Sequence, residues 1–227
     1  MNMPFYVAPE QIMKDRADYA RKGIARGRSL VAFQFDEGIA ICAENTSSTL
    51  RKISEIYDRI AFAGVGKYNE FDQLRIAGVR HADMKGYAFS REDVDARSLA
   101  NQYAQSLGQI FTHEMKPMEV EILVAEVGYA ADGSEDQLFH ILYDGTVMDE
   151  DSAVVLGGET DVISERLGLF DAPPSLQEGL QRAVAALAGP DRELNASSLE
   201  VGLLRRSEPR RAFQRLDDPA VATLLGN

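Results

Sequence analysis

Residues 29–46, SLVAFQFDEGIAICAENT, decide how the rest of the chain is arranged. They contain two short apolar runs, 30–35 and 39–43, joined by Asp36-Glu37-Gly38, a turn of the length that closes a hairpin. A half-buried strand alternates apolar and polar residues, whereas these runs are apolar at almost every position. Such a hairpin needs cover on both faces, which predicts a sheet packed between other layers.

The composition sets the outer limits. With 227 residues and 45% hydrophobic content, the chain is long enough for one sizeable core. Carboxylates outnumber Lys and Arg 36 to 24, a net charge of -12, and neutralising phosphates takes a basic face, so no nucleic-acid partner is expected. The single cysteine, Cys42, lies in an apolar run and reads as a buried thiol in a reduced compartment, neither a disulfide partner nor a nucleophile. No Lys or Arg precedes Lys14 and no apolar run is long, so neither a secretory signal nor a membrane span is expected, and a cytoplasmic chain is.

On the N-terminal side of the hairpin, Met13, Ala17, Ala20 and Ile24 recur at helical spacing among Lys14, Asp15, Arg16, Asp18, Arg21 and Lys22. This predicts an N-terminal helix within 10–27, stopped by Gly27. Ahead of it stands a short tail, residues 1–9, MNMPFYVAP, broken by Pro4 and Pro9. Six of its first eight residues are Met, Phe, Tyr, Val or Ala, a greasy end that is an aggregation liability unless it packs on something.

On the C-terminal side, residues 50–57 and 60–64 read as strands hinged at Asp58-Arg59. Gly64-Val65-Gly66-Lys67 looks like a phosphate loop, but a Walker loop needs Gly where Ala61 stands and Ser or Thr where Tyr68 stands. The glycines instead allow a tight strand-to-helix turn. Two amphipathic helices follow, one over 68–84 with Tyr68, Phe71, Arg75, Val79 and Ala82 on its stripe, one opening at Ser90 with Leu99, Tyr103, Leu107 and Ile110. Runs at 120–127, 137–143, 146–148 and 153–156, separated by Asp132-Gly133, Asp144-Gly145 and Glu150-Asp151, predict an antiparallel meander. Helices over 160–167 and 175–188 stop at Gly168 and Gly189-Pro190, and 199–205 with 211–216 form a last hairpin. Its five arginines, beside Glu208, Asp217 and Asp218, read as solvation of an edge strand.

The order is strands, two helices, strands, two helices, strands. That predicts an α+β fold, a four-layer α-β-β-α sandwich of two antiparallel sheets with a helix pair outside each. The expected organisation is one sandwich domain over 28–216, preceded by the tail and helix and followed by a C-terminal tail, 217–227. Within that tail, residues 220–225 read either as a short helix or as loose chain.

Four blocks carry a resemblance: PFYVAPEQIMKDRADYARKGIARG at 4–27, the hairpin at 29–46, TLRKISEIYDRIAFAGVGKYNEFDQLR at 49–75 and GGETDVISERL at 157–167. In this order, and over essentially the whole chain, the sequence resembles the α subunit of the actinobacterial proteasome core particle. The resemblance implies the N-terminal-nucleophile hydrolase fold in a catalytically inactive form, with no cofactor and no metal. It further implies a heptameric ring of copies of itself that stacks on a ring of β subunits holding the threonine nucleophiles, in degradation of tagged, pupylated proteins. Unfolded protein substrates in transit pass a gate formed by the N-terminal tails, here Met1, Met3, Pro4, Phe5, Tyr6, Val7 and Ala8. Lys52 then lines a pocket between neighbouring subunits for the C-terminal carboxylate of a docking activator, a ring-shaped ATPase or an ATP-independent one, and Arg21 and Gly27 help to shape it. A compact ammonium on a long stem suits a lone carboxylate.

The alternative is an active hydrolase of the same architecture, whose first strand begins at the chain's own N-terminal Ser, Thr or Cys. Cleavage between Arg28 and Ser29 would free Ser29 as nucleophile, its α-amine as base and Lys52 tuning it. Against this, twenty-eight residues precede Ser29. Glu44 also stands near the position where Asp is expected, and Arg28 replaces the glycine that normally precedes the cut. His81, His113 and His140 belong to no ligand-spaced cluster, so metal chemistry is not indicated.

Overall fold

The computed structural model describes residues 8–129 and 133–226. The proposed gate residues Met1, Met3, Pro4, Phe5, Tyr6 and Val7, and Asp132 of one turn, lie outside the described residues. In chain order the elements are α1 (Pro9–Ile24), β1 (Leu30–Phe35), β2 (Gly38–Glu44), β3 (Ile53–Tyr57), β4 (Ile60–Gly66), α2 (Tyr68–Ala88), α3 (Ala96–His113) and β5 (Val120–Glu126). They continue as β6 (Gln137–Ile141), β7 (Val147–Glu150), β8 (Ala153–Leu156), α4 (Thr160–Leu167), α5 (Leu176–Ala188), β9 (Leu199–Arg205), β10 (Phe213–Arg215) and α6 (Asp218–Leu225).

The opening hairpin forms as read, with Val31 opposite Cys42 and Phe35 opposite Gly38. Gly38 has φ 149°, and a side chain there would run into the Leu204 carbonyl of the adjoining strand, so the tight turn needs glycine. Alternation explains the double cover. Leu30, Ala32, Ile39, Ile41 and Ala43 point to one side, into a layer shared with Ala61, Ala63, Val65, Leu123 and Ala125 of the second sheet. Val31, Phe33, Phe35, Ala40 and Cys42 point to the other, against Leu180, Val184 and Leu187 of α5 and Ile163 and Leu167 of α4. A third layer joins Phe62, Ile122 and Val124 to Phe71 and Leu74 of α2 and Leu99, Tyr103 and Leu107 of α3. Three apolar clusters between four layers, two sheets and two helix pairs, give the predicted sandwich. The sheets run β10-β9-β2-β1-β8 and β3-β4-β5-β6-β7, antiparallel throughout. The inner end of α1 closes one side of the layer between them with Ala20 and Ile24.

Several expectations need correction. The meander breaks after β7: β8 crosses to the other sheet and pairs with β1, Leu30 opposite Leu156. Gln34 directs the crossing, its side chain donating to the Asp151 carbonyl at 2.7 Å and its amide to the Ser152 carbonyl at 2.8 Å. Ser90 caps only a short 3₁₀ turn, Arg91–Asp93. Helix α3 starts later, where the Asp95 carboxylate accepts from the Ser98 amide at 2.7 Å. The buried stripe of α2 is Phe71, Leu74, Gly78 and Ala82, because Gly78 admits the Tyr103 hydroxyl, which donates to the Leu74 carbonyl at 3.1 Å. Arg75 turns away to Asp72 at 2.8 Å.

Helix α1 starts at Pro9, within the segment read as tail, and ends at Ile24. Gly27 therefore does not stop it directly; glycine is needed there because a side chain would strike the Gly66 backbone. Residues 218–225 resolve the open alternative as a helix: α6 is capped by Asp217 and buries Val221 in the outer layer. The arginines of the last hairpin do more than solvate an edge. Arg206 pairs with the buried carboxylate of Asp136 at 2.8 Å, Arg211 reaches Glu55 on β3 at 2.7 Å, Arg205 pairs with Glu37, and Arg215 with Glu200. Cys42 is buried as read, and burial pushes its thiol up to about 12. No described helix is long and apolar enough to cross a membrane.

Candidate functional site

The site is organised by a charge inside the sandwich. Glu200 lies among the apolar residues of β9, and its carboxylate is buried beneath the start of β3 in the opposite sheet. It accepts from the Lys52 amide at 2.9 Å, the Ile53 amide at 3.3 Å and the Asn45 side chain at 2.7 Å. Arg215 completes the set, pairing with Glu200 and donating to the Ile53 carbonyl at 2.6 Å. A buried carboxylate is tolerable only when its lone pairs are met, and here four donors on four residues converge on Glu200. Lys52 is thus fixed in place from below.

Its ammonium, half-buried, donates to the carbonyl of Arg28. Burial pushes Lys52 down to about 8, against the pull of Glu44 and Glu200, with the charge of Arg28 adding to the lowering. An ammonium has three donors, so the bond to Arg28 leaves others for a ligand. The guanidinium of Arg28 pairs with Glu44 at the end of β2, a buried carboxylate that also holds Arg192 at 3.0 Å. Arg192 in turn donates to the Leu187 carbonyl at the end of α5 at 2.8 Å. Arg28 is therefore gripped at both ends.

Ser29 follows Arg28 within the chain and is buried. Its carbonyl accepts from the Glu44 amide at 3.2 Å, and Gly157, at φ 129°, is so close that a side chain there would collide with it. Gly27, on the other side of Arg28, lines a cavity of about 440 Å³ together with Arg28, Ser29 and Glu44. Lys52 and Gly27 thus meet through Arg28. Arg21 is not brought to them: its partners among the described residues are Asp18, at 3.2 Å, and the Tyr143 ring, 5.9 Å from its centroid. Ala8, the described member of the gate set, accepts from the amides of Gln11 and Ile12 at the head of α1. Among the described residues no group of three His, Cys, Asp or Glu is placed to hold a metal ion.

The sequence profile of the proteasome subunit family matches residues 24–202, which covers β1 to β8, the start of β9, Lys52 and Glu200. The chain belongs to the proteasome subunit family. Curated relatives called proteasome subunit alpha extend the match to the ends. That of Acidimicrobium ferrooxidans is 63% identical over 100% of this chain and 97% of its own length. Those of Sanguibacter keddieii and Thermobifida fusca are 56% and 54% identical, over 100% and 99% of this chain and 91% of their own lengths. The resemblance read from the four sequence blocks is borne out, as is the layered fold.

Lys52, Gly27 and Ser29 stand out in the sequence, whereas the groups that place them, Glu200, Arg215, Asn45 and Arg192, do not. One signal was present: Glu200 interrupts the apolar run LEVGLL, where a lone charge has to be paired. Replacing it tests the arrangement. Glu200→Ala leaves Arg215 and three other donors without their acceptor, and should cost about 3–5 kcal/mol of stability in urea denaturation; a loss below about 1 kcal/mol contradicts the role given to it.

Proposed function

We propose that this chain is the non-catalytic α subunit of a bacterial proteasome core particle, working in the cytoplasm in degradation of pupylated proteins. Seven copies form a ring that stacks on a β ring, the N-terminal tails close the pore, and C-terminal tails of a ring-shaped ATPase or an ATP-independent activator dock at Lys52. The observation that carries this reading is the double grip on Arg28. An N-terminal nucleophile at Ser29 would need a free amine, with Lys52 and the carboxylate of Glu44 around it. Here Lys52 and Glu44 are both engaged by the residue that precedes Ser29.

The placement of α1 supports a gating role. Its inner end is anchored by Ala20 and Ile24 in the core, by Gly23 against Glu119, and by Arg16, which donates to the carbonyls of Ile110 and Glu114 at the end of α3. Its outer face leaves Ile12, Met13 and Tyr19 exposed at 42%, 37% and 48%, apolar surface of the kind a neighbouring copy covers in a head-to-tail ring. The gate residues precede α1, and Gly27 and Arg28 follow it. A tail docked at Lys52 therefore acts on the end of the helix opposite the gate, and opens it to the extent that it binds the open state better. An exposed ion pair contributes about 0–1 kcal/mol, so docking draws on apolar contacts and on several tails at once.

Deleting residues 1–8 should raise the rate at which the assembled particle hydrolyses peptides; an unchanged rate counts against the gate. Docking should also depend on pH, because Lys52 pairs a carboxylate only when charged. With its titration at about 8, the charged fraction falls from nearly all at pH 7 to about a tenth at pH 9, so activator affinity should drop, by up to about fivefold per docked tail, across that range. Lys52→Ala should weaken docking at pH 7 with ring assembly intact, and Lys52→Arg should flatten the profile. A wild-type affinity that does not change between pH 7 and pH 9 would remove Lys52 from the docking site.

A further inference from the structure

The first sheet runs β10-β9-β2-β1-β8, so β10 and β8 are its two outer edges, and both are short. The segments that lead into them lie at one end of the sheet. Ser152, just before β8, accepts from the Gln34 amide, while Arg206, in the turn before β10, donates its amide to the Glu37 carbonyl of the turn that closes β1 and β2. The two edges thus stand on opposite sides of the molecule, and they differ in what they carry.

Beside β8 the surface is a groove of about 320 Å³ between Val154, Val155 and the end of α4 at Leu167, with Leu169 at its lip. Leu169 is 88% exposed, yet its turn is fixed, because Arg182 donates to the carbonyls of Leu167 and Leu169 at 2.6 and 3.0 Å. An apolar side chain held outward on a fixed turn is preorganised for a partner. Glu165 lines the groove and Asp151 stands beside Ser152; both are exposed, and neither carboxylate has a partner among the described residues. Two cations lie near this edge, and both are turned elsewhere: Arg166 lies against Gly189, and Arg97 is 3.5 Å from Asp149. At the opposite edge, the turn before β10 presents Arg210 and Arg211 against a single carboxylate, Glu208. Arg210 is exposed without a partner among the described residues, and Arg211 keeps 73% of its side chain exposed while pairing with Glu55.

We propose that the β8 edge of one copy of this chain receives the β10 edge of the next, with Arg210 paired to the carboxylates of Glu165 and Asp151 and the groove at Leu169 covered. Two β8 edges would bring like charges together, as would two β10 edges, so a twofold dimer through either face is disfavoured. Opposite edges of one sheet make a head-to-tail contact instead, which repeats from copy to copy and can close as a ring. The inference rests on the ring proposed above and names the surfaces that form it.

Native mass spectrometry of the full-length chain coexpressed with its β partner tests it. Arg210→Glu, and separately Asp151→Arg with Glu165→Arg, should each cut the share of chains in sevenfold rings or mixed particles at least about threefold, since the mismatch recurs at every contact of a ring. All three substitutions in one chain exchange the two charges and should recover most of the loss, which residues needed only for the fold would not do. The three side chains are exposed, so each variant should keep its fold, with circular dichroism as the check. Wild-type rings that neither variant reduces, or a loss that the combined chain does not recover, overturn this pairing and leave the ring standing. A wild-type chain that forms no sevenfold species removes the ring and this contact with it.

Discussion

A carboxylate buried between two sheets is the constraint on which the rest depends. The layers of Ala, Val, Ile and Leu that hold the sandwich together are strong but without direction, and would accept small shifts of one sheet over the other. Glu200 does not. It is buried on β9 and meets donors from Asn45, Lys52, Ile53 and Arg215, so the start of β3 can sit in one place only. Leaving such a charge unpaired costs several kcal/mol, which makes the corner cooperative: its members are all placed or none is. Lys52 owes its position to this pairing, and through Lys52 so does the path of the chain from α1 into β1.

Arg28 is where that corner turns into function. Its carbonyl takes the Lys52 ammonium and its guanidinium takes Glu44, so one residue joins the end of α1 to both sheets. The same placement keeps Ser29 inside a peptide, buried beneath Gly157. Under the proposed function, a corner that could serve a free amine is filled by the chain itself and serves as a mount for a helix. On that reading the layered core is retained and the polar groups at its mouth are engaged by the segment that precedes Ser29.

The layers were legible in the sequence because they follow from periodicity. The doubly apolar hairpin demanded cover on both faces, and paired helices between antiparallel strands supplied it. What the sequence hid were contacts made across long separations. Glu200 lies 148 residues from Lys52, and nothing local in either segment indicates the other. The move of β8 to the first sheet is of the same kind, since it depends on Gln34 reaching residues 117 positions away. The stripe of α2 departs from the sequence pattern by part of a turn because its course is set by the hydroxyl of Tyr103, a partner on another helix. Gly27 reads locally as a helix stop, whereas its place is set by a close approach to Gly66. Arg21, which the resemblance groups with Lys52 in a pocket between subunits, has Asp18 and Tyr143 as its partners within the chain.

The most direct test of the account is native mass spectrometry of the chain coexpressed with its β partner, with a denatured scan to weigh each subunit. A chain that serves as a mount retains everything before Ser29, so α subunits of the full 25.0 kDa should appear, in sevenfold rings or in a mixed α and β particle. Subunits that begin at Ser29 would contradict it, because the segment that grips Lys52 and Glu44 would then have been cut away and a serine amine exposed in its place.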